Sequence, residues 1–198
     1  MPLKPLLLAS SSRYRHELLA RLGLPFSSAS PDIDESPIAG EPPVDLALRL
    51  AESKARALAP LYPDHWIIGS DQVAGLPDGT RLSKPGNYKN AYEQLARSSG
   101  QSVIFLTGLA LLDASSGTLQ THCEQFTARF RDLCPEEIDA YLRKEAPYDC
   151  AGSFKMEGLG ITLFRELQGR DPNSLIGLPL IALTNMLTSW GRNPLLEP

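Results

Sequence analysis

The order of strand-like and helix-like segments in the first half of the chain is the feature that most constrains its fold. Apolar runs typical of buried strands lie at Leu6–Ala9, Phe26–Ala29 and residues 66–74. Between them, residues 12–22 and 44–59 carry apolar side chains at helical spacing. Because strands and helices that alternate in this way are typical of α/β proteins, the pattern predicts an α/β fold.

The second half of the chain predicts an antiparallel portion. Two longer strand-like runs at residues 102–112 and 118–130 are joined by the sequence DASSG, which is typical of a hairpin turn. Helices are predicted near residues 88–97 and 134–145, and a final helix is expected to end at Gly191. We therefore expect a mixed, twisted sheet flanked by helices.

Local signals define the two helices of the first half. We expect Ser12 to cap the N-terminus of the first helix and Gly23 to stop it. The second helix carries one apolar stripe, which we expect to face the core. Its members are Val44, Ala47, Leu48, Ala51, Ala55 and Leu58. Lys54 lies one turn beyond Leu50, close to this stripe.

Composition and charge exclude several classes of function. A chain of 198 residues, with 42% hydrophobic and 21% charged residues, fits a globular enzyme with one domain or two lobes. Its net charge of −4 argues against general nucleic-acid binding, which usually needs a basic face, but it does not exclude a phosphorylated small molecule. No apolar run approaches the roughly 18 residues of a membrane span.

The cysteines and the N-terminal sequence predict the compartment. Cys123, Cys134 and Cys150 have no C-x-x-C spacing, which favours a reducing cytoplasm over a disulfide framework or a zinc site. The sequence MPLKPLLLAS has one lysine and a very short apolar run, so it is not a convincing targeting segment. We expect a cytoplasmic protein that binds neither membranes nor nucleic acid.

The stretch IIGSDQVAG, residues 67–75, places Asp71 and Gln72 directly after the apolar residues of a predicted strand. A carboxylate at the end of a buried strand is costly unless it is paired, solvated or bound to a metal. Asp71 is therefore a candidate for catalysis or metal binding. The alternative is a turn aspartate that caps the next element.

Two other stretches are candidates for binding a phosphorylated ligand and its cation. The sequence SSSRYR opens the first helix, where free backbone N–H groups, hydroxyls and arginines attract anions; the alternative is a simple N-cap. The next loop carries Asp32, Asp34 and Glu35. Carboxylates in one loop could hold Mg²⁺ together with substrate phosphates, and the alternative is a solvated acidic loop.

Three lysines and a glutamate complete the candidates. Taken singly, Lys54 and Lys84 are interpreted as surface lysines. In the Gly-bounded sequence GSFKMEG, Lys155 and Glu157 lie two positions apart, so an extended chain would point both side chains the same way. The alternative for this stretch is a structural salt bridge or an exposed loop.

Taken together, these stretches resemble one family. The segments LLLASSSRYRHELL, DIDES, IIGSDQV, SKP, CAGSFKMEGLG and NSLIGLPL occur in the order and approximate spacing of the Maf-like nucleotide pyrophosphatases. The resemblance runs from Leu6 to about Asn193 and implies a single domain over residues 1–198, with two lobes around a nucleotide-binding cleft. It also implies a homodimer, and an Mg²⁺- or Mn²⁺-dependent reaction that splits a nucleoside triphosphate into a monophosphate and pyrophosphate.

The resemblance assigns roles to individual residues. Asp71 matches the catalytic base and, with Glu35, the metal site. Four residues match the phosphate-binding set: Ser10, Arg15, Lys54 and Lys84. The family often has two consecutive arginines at the first helix, whereas this chain has Arg15 and His16. The second basic contact therefore falls to His16 or to Arg13 upstream.

Three residues, Tyr14, Gln72 and Glu157, resemble the branch of the family that hydrolyses 7-methyl-GTP. Methylation at N7 makes guanine cationic, which favours an aromatic face such as Tyr14 (Trp in many relatives) and a charge-assisted contact with Glu157. Gln72 could offer the base a donor and an acceptor. We therefore expect house-cleaning hydrolysis of 7-methyl-GTP. The alternatives are the same reaction on UTP, dTTP or another nucleotide, and a nucleotide-binding regulator of cell division and septum formation.

Overall fold

The structure, a computed structural model, describes residues 4–197 and confirms the predicted α/β fold. The strands are β1 (Leu6–Ala9), β2 (Phe26–Ala29), β3 (Trp66–Gly75), β4 (Ser102–Asp113), β5 (Leu119–Phe130) and β6 (Phe164–Gly169). The α-helices are α1 (Arg13–Ala20), α2 (Pro43–Leu58), α3 (Tyr88–Ser98), α4 (Pro135–Glu145), α5 (Pro172–Ile176) and α6 (Leu180–Ser189). Helices flank a single mixed sheet with the strand order β2-β1-β3-β4-β5-β6.

The pairing of the strands changes along the chain. β1 pairs in parallel with both β2 and β3, so that Leu6 lies opposite Phe26 on one side and opposite Trp66 on the other. β6 pairs in antiparallel orientation with β5. This confirms the prediction of an α/β fold with an antiparallel portion in the second half.

The described chain divides into two compact units. Residues 4–71, 107–124 and 177–197 form the first unit, and residues 72–106 and 125–176 form the second. Three strands, β3, β4 and β5, contribute residues to both units. The cleft between two lobes that the family resemblance implies stays a prediction.

Most predicted helices and their caps are present. The side chain of Ser12 accepts a hydrogen bond from the backbone N–H of Arg15 and so caps α1, as predicted. The final helix is followed by Gly191, whose φ of +84° lies in the left-handed region. The sequence did not indicate α5, because a helix of five residues is too short to show a helical period.

The buried face of α2 differs from the predicted stripe. It consists of two neighbouring rows with a spacing of four: Leu46, Leu50, Lys54 and Leu58, and Ala47, Ala51 and Ala55. Val44 is exposed because it lies in the first turn, and Leu48 is half-buried at the edge of the face. The expected stripe is therefore buried at Ala47, Ala51, Ala55 and Leu58 but not at Val44, and Leu48 lies at its edge. The consequence for the site is that Lys54 lies within the buried face.

Two glycines allow α2 to lie directly against the sheet. A Cβ atom added at Gly69 on β3 would overlap the backbone carbonyl of Ala51. One added at Gly108 on β4 would overlap the carbonyl of Ala47. Because backbone atoms cannot give way as a flexible side chain does, both positions require glycine for α2 to approach this closely.

The second unit has a core rich in phenylalanine. Phe154 makes edge-to-face contacts with Phe105, Phe130 and Phe164, at ring-centroid distances of 5.5, 6.2 and 4.9 Å. These contacts anchor the start of the predicted Gly-bounded loop against β4, β5 and β6. Side chains of α3 and α4, including Leu95 and Leu142, complete the same core.

None of the helices formed by residues 4–197 combines the length and hydrophobicity needed to cross a bilayer. Within residues 4–197, Cys123, Cys134 and Cys150 form no disulfide, and Cys134 is exposed. Burial raises the pKa of the Cys123 thiol above its ordinary value, and the neighbouring charge of Glu124 adds to this shift.

Candidate active site

Asp71 lies within a strand rather than at its end. β3 continues to Gly75, and the chain then turns back, with the N–H of Leu82 donating to the carbonyl of Ala74 over 2.8 Å. The sequence suggested a strand end because polar residues interrupt the apolar run. Asp71 is 8% exposed, so its carboxylate is fixed by a rigid strand and largely removed from water.

A lysine from α2 pairs with Asp71. The Nζ atom of Lys54 lies 2.6 Å from Oδ1 of Asp71 and 2.7 Å from Oε1 of Glu35. The Lys54 side chain is 8% exposed and that of Asp71 is 11% exposed, whereas Glu35 remains largely open to solvent. A buried ammonium and a buried carboxylate are stable only as a pair, so each of these two groups accounts for the burial of the other.

Arg15 adds a second cation near the same carboxylates. Burial lowers the pKa of its guanidinium from the ordinary value, and the negative charges of Asp71 and Glu35 oppose that shift. Since arginine stays protonated in proteins, Arg15 remains a cation here. Its Nε donates to the carbonyl oxygen of Gly177 over 2.8 Å, which fixes the orientation of the guanidinium plane.

Ser70 shares the acceptor that holds Arg15. The Ser70 hydroxyl is fully buried and lies 2.9 Å from both the carbonyl oxygen of Gly177 and that of Gly108. A hydroxyl donates one proton, so it can serve only one of these two carbonyls at a time. Side chains alternate along a strand, so Ser70 and Asp71 point to opposite faces of β3. The sequence analysis did not assign Ser70, although this alternation around Asp71 was the signal for it.

Ser10 and the start of α1 form a polar turn. The Ser10 side chain is 9% exposed, and its hydroxyl oxygen accepts from the backbone N–H of Ser12 over 3.1 Å. An acceptor role leaves the hydroxyl proton available for another oxygen. The arrangement therefore accommodates both interpretations of this stretch, since Ser12 caps the helix and Ser10 retains a proton that could bind an anion.

The acidic loop contributes one carboxylate to the Lys54 cluster. Asp34 accepts from the backbone N–H of Ser36 over 2.8 Å, and hydrogen bonds from Ser36 lower the pKa of the Asp34 carboxyl. Asp32 is exposed. Glu35, by contrast, reaches Lys54.

The donor chemistry of Glu35 and Asp71 fits a hard divalent cation only in part. Carboxylate oxygens are suitable ligands, and Mg²⁺ is normally held by one or two carboxylates plus substrate phosphates. Within residues 4–197, however, no three His, Cys, Asp or Glu side chains form a ready-made metal cluster. Two carboxylates that already face an ammonium therefore form a site that phosphate oxygens would have to complete.

Tyr14 already contacts a cation. The Arg13 guanidinium carbon lies 4.7 Å from the centre of the Tyr14 ring, and Arg13 Nη2 donates to the Tyr14 hydroxyl over 2.8 Å. His16 instead stacks on Phe26, with the ring centroids 4.8 Å apart. Of the two candidates for the second basic contact, Arg13 thus lies beside Tyr14 and His16 packs against β2.

In the second unit, Lys84 and Glu157 are both exposed. The predicted common orientation of Lys155 and Glu157 was based on an extended chain, and that geometry is absent because the chain turns at residues 156–158. The N–H groups of Gly158 and Gly160 both donate to the carbonyl of Lys155. Lys155 Nζ donates to the backbone carbonyl of Glu145 over 2.6 Å, whereas Glu157 is exposed, as the alternative of an exposed loop predicts.

Gln72 has a structural contact of its own. Its Nε2 donates to the carbonyl oxygens of Ser174 and Leu175, over 2.8 and 3.2 Å. These bonds attach β3 to α5. The donor end of the Gln72 amide is therefore engaged with the backbone, and a role in base selection would have to use the remaining hydrogen-bonding capacity of its Oε1.

The similarity to known proteins extends over almost the whole chain. A family model described as "Maf-like protein" matches residues 5–190. The chain belongs to the Maf-like family. It is 61% identical over 186 residues to a protein of Pseudomonas syringae pv. tomato named 7-methyl-GTP pyrophosphatase, which covers 94% of this chain and 96% of that protein. It is 58% identical over 187 residues to a protein of the same name from Pseudomonas putida, with coverage of 94% and 97%.

The chemical capacity of this Maf-like site follows from its charge balance. In the first unit, two cations, Lys54 and Arg15, face two carboxylates, Asp71 and Glu35. Such a set can hold an anion through the cations and accept or orient a proton through a carboxylate. A ligand with several negative charges would exceed the two cations, so its binding would favour an additional cation at the carboxylates.

Proposed function

We propose that this Maf-like protein hydrolyses 7-methyl-GTP to 7-methyl-GMP and pyrophosphate. The observation that carries the proposal is the buried pair of Lys54 and Asp71, which Glu35 and Arg15 extend into a cluster suited to phosphoryl chemistry. Relatives 61% and 58% identical to the chain bear the name of this activity. Catalysis of this kind depends mostly on positioning and on electrostatic stabilisation, which a rigid cluster provides.

Asp71 is the general base of the proposed reaction. It accepts a proton from the attacking water while the water oxygen bonds to a phosphorus atom of the α–β anhydride. The bond from that phosphorus to the bridging oxygen breaks, and the two products leave as a nucleoside monophosphate and pyrophosphate. Lys54 Nζ contacts Oδ1 of Asp71 over 2.6 Å and so fixes the orientation of the carboxylate that accepts the proton.

Arg15, Ser10 and Lys84 bind the phosphate chain in this proposal. Arg15 offers a guanidinium whose orientation is fixed at Gly177, and Ser10 offers a hydroxyl proton beside the start of α1. Lys84 supplies an exposed ammonium on its loop. Charge-assisted hydrogen bonds to phosphate are about twice as strong as neutral ones, so these cations supply most of the binding free energy.

Mg²⁺ or Mn²⁺ is the cofactor of this proposal. Glu35 and Asp71 would hold it together with phosphate oxygens, because two carboxylates alone do not complete a coordination shell. When bound, it would supply positive charge to the phosphate oxygens and lower the pKa of a bound water.

Tyr14, Gln72 and Glu157 select the base in this proposal. The contact between Arg13 and Tyr14 supports the assignment, because it illustrates that this ring accepts a cation. A cationic methylated guanine would use the opposite face of the ring or displace Arg13. We also propose a cytoplasmic location, which suits three cysteines that form no disulfide in the described chain, and a homodimer on the basis of family membership.

The test is pyrophosphate release by purified protein with Mg²⁺ or Mn²⁺, comparing 7-methyl-GTP, GTP, UTP and dTTP. Orthophosphate is measured in parallel, so that a phosphatase is distinguished from a pyrophosphatase. We expect pyrophosphate and a preference for 7-methyl-GTP. Preference for UTP or dTTP would retain the reaction and refute the base selection. Binding without release of either product would refute the enzyme and favour a nucleotide-binding regulator of cell division.

A further inference from the structure

The amide of Gln94, on α3, contacts two separate loops of the second unit. The hydroxyl of Ser153 donates to Gln94 Oε1 over 2.7 Å. At its other end, Gln94 Nε2 donates to the backbone carbonyl of Ser83 over 3.0 Å. One side chain therefore uses its acceptor on one loop and its donor on the other.

These two loops carry two residues with proposed roles, Lys84 and Glu157. Ser83 directly precedes Lys84, and Ser153 lies in the segment that continues to Glu157. The same part of the chain has a second connection, in which the N–H of Gly86 donates to the carbonyl of Tyr148 over 2.9 Å. Gln94 thus lies where the phosphate-binding and base-selecting loops meet.

Ser153 has a backbone conformation that needs support. Its φ of +63° is in the left-handed region, which residues with a side chain seldom adopt. It is also fully buried, so its hydroxyl must find a partner within the protein. Gln94 supplies that partner. Strained, buried residues of this kind persist only where their surroundings hold them in place, and they occur often at functional sites.

Lys84 and Glu157 have no comparable support of their own. Across residues 4–197, neither side chain has an ion-pair partner, and both are exposed. Their positions therefore depend on how well the backbone of each loop is held. The Gln94 amide holds one loop at the backbone carbonyl of Ser83 and the other at the side-chain hydroxyl of Ser153. Both hydrogen bonds are neutral, which leaves the two charged groups available to a ligand.

We propose that Gln94 is a positioning residue that couples the loop of Lys84 to the loop of Glu157. The positions of the phosphate-binding loop and the base-recognising loop are thereby linked, because movement of either loop disturbs the hydrogen bond between Gln94 and the other. The inference rests on the proposed function, since it uses the roles assigned there to Lys84 and Glu157. It adds a residue that contacts neither phosphate nor base but determines the alignment of both contacts.

The first test replaces Gln94 by leucine, which has a similar size and cannot form either hydrogen bond. Gln101→Leu is the matched control, because Gln101 is exposed just after α3 and its side chain makes no hydrogen bond within the described chain. We expect Gln94→Leu to lower kcat/KM for 7-methyl-GTP about tenfold, as the loss of two modest hydrogen bonds predicts. The change should lie mainly in KM and should reduce the preference for 7-methyl-GTP over UTP. Equal kinetics for the two variants would overturn the proposal.

A second variant, Ser153→Ala, removes only the hydrogen bond between Ser153 and Gln94. Alanine has a Cβ atom, so unlike glycine it does not relieve the left-handed backbone at this position. Ser153→Ala tests the proposal if Gln94→Leu does not fold. Its effect on KM should be smaller than that of Gln94→Leu. The double variant should resemble Gln94→Leu alone, because the two changes remove a shared contact. Additive losses would mean that Ser153 and Gln94 act separately and would overturn the coupling.

Amide hydrogen exchange on the nucleotide-free protein separates this inference from the proposed function. Gln94→Leu should speed exchange at residues 83–86 and at residues 151–158 together, whereas Gln101→Leu should leave both unchanged. Faster exchange in only one loop would overturn the coupling. If the wild-type protein hydrolyses no nucleotide but both loops respond, the proposed function fails while the physical coupling stands.

Discussion

The charged residues of the first unit and those of the second are held in opposite ways. In the first unit, Lys54 and Asp71 are buried and paired, and their partners fix their positions before any ligand arrives. In the second unit, Lys84 and Glu157 are exposed. The loops that carry them are held instead by uncharged groups, such as the Gln94 amide, which binds the backbone of Ser83 and the hydroxyl of Ser153.

The difference indicates a division between chemistry and recognition. A base must have the right ionisation and geometry at the moment of reaction, which a buried ion pair on a strand and a helix secures. A group that recognises a ligand gains most from charge that becomes paired only on binding. In the first unit, the paired charges contribute to the stability of the fold. In the second unit, the exposed charges remain available to pair with a ligand.

The largest expected effect comes from removing the carboxylate proposed as the base while keeping its shape. Asp71→Asn should lower kcat about 10²- to 10⁴-fold, because asparagine cannot accept the proton of the attacking water. KM should change little, and circular dichroism should show a retained fold. The control is Asp78→Asn, the same change at an exposed turn aspartate. Near wild-type turnover in Asp71→Asn would remove this carboxylate from the mechanism.

The next largest expected effect is a difference in the free energy of unfolding between variants of the two lysines. Lys54→Met should lower the free energy of unfolding by about 3 kcal/mol, because it leaves a buried carboxylate without its partner. Lys84→Met should change it by less than about 0.5 kcal/mol, as expected for a surface substitution. Urea denaturation monitored by tryptophan fluorescence measures both.

The kinetics of Lys54→Met and Lys84→Met provide a second comparison between the two lysines. Lys84→Met should raise KM for the triphosphate about tenfold or more, since it removes a charge-assisted contact, with kcat less affected. Lys54→Met should lower kcat as well, because Asp71 loses the cation that fixes the orientation of its carboxylate. If Lys84→Met proved as destabilising as Lys54→Met, it would be wrong to distinguish a lysine that stabilises the fold from one that is available to the ligand.

The smallest expected effect concerns the choice of base. Glu157→Gln keeps the size of the side chain and removes its charge. It should lower kcat/KM for 7-methyl-GTP by about five- to tenfold and leave that for UTP nearly unchanged, because only the methylated base is cationic. The measurement is the ratio of the two kcat/KM values. An equal loss on both nucleotides would assign Glu157 a structural role.

Much of the fold could be predicted because its elements are long and periodic. The strands near Leu6 and Phe26 and the hairpin around Gly117 follow directly from apolar runs and turn residues. The prediction was weaker where burial depends on neighbours. Val44 and Leu48 have the right spacing but lie at the start and the edge of the buried face, and their periodicity cannot reveal where the sheet contacts α2.

The site was predictable as a list of residues rather than as a set of contacts. Motif order identified Asp71, Lys54 and Glu35, but the sequence could not show that one ammonium bridges both carboxylates. Gln94 carries no motif, because a polar residue on a helix surface looks the same whether or not it bridges two loops. The extended geometry expected for Lys155 and Glu157 failed because glycine N–H groups close a turn over a backbone carbonyl.

The close approach of α2 to the sheet has an evolutionary consequence. Lys54 reaches Asp71 from a helix that lies against β3 and β4 where Gly69 and Gly108 have no side chain. A lineage that exchanged either glycine would have to move the helix, and with it the lysine. Substitution should therefore be as rare at these two glycines, which bear no functional group, as at the charged pair whose geometry they allow.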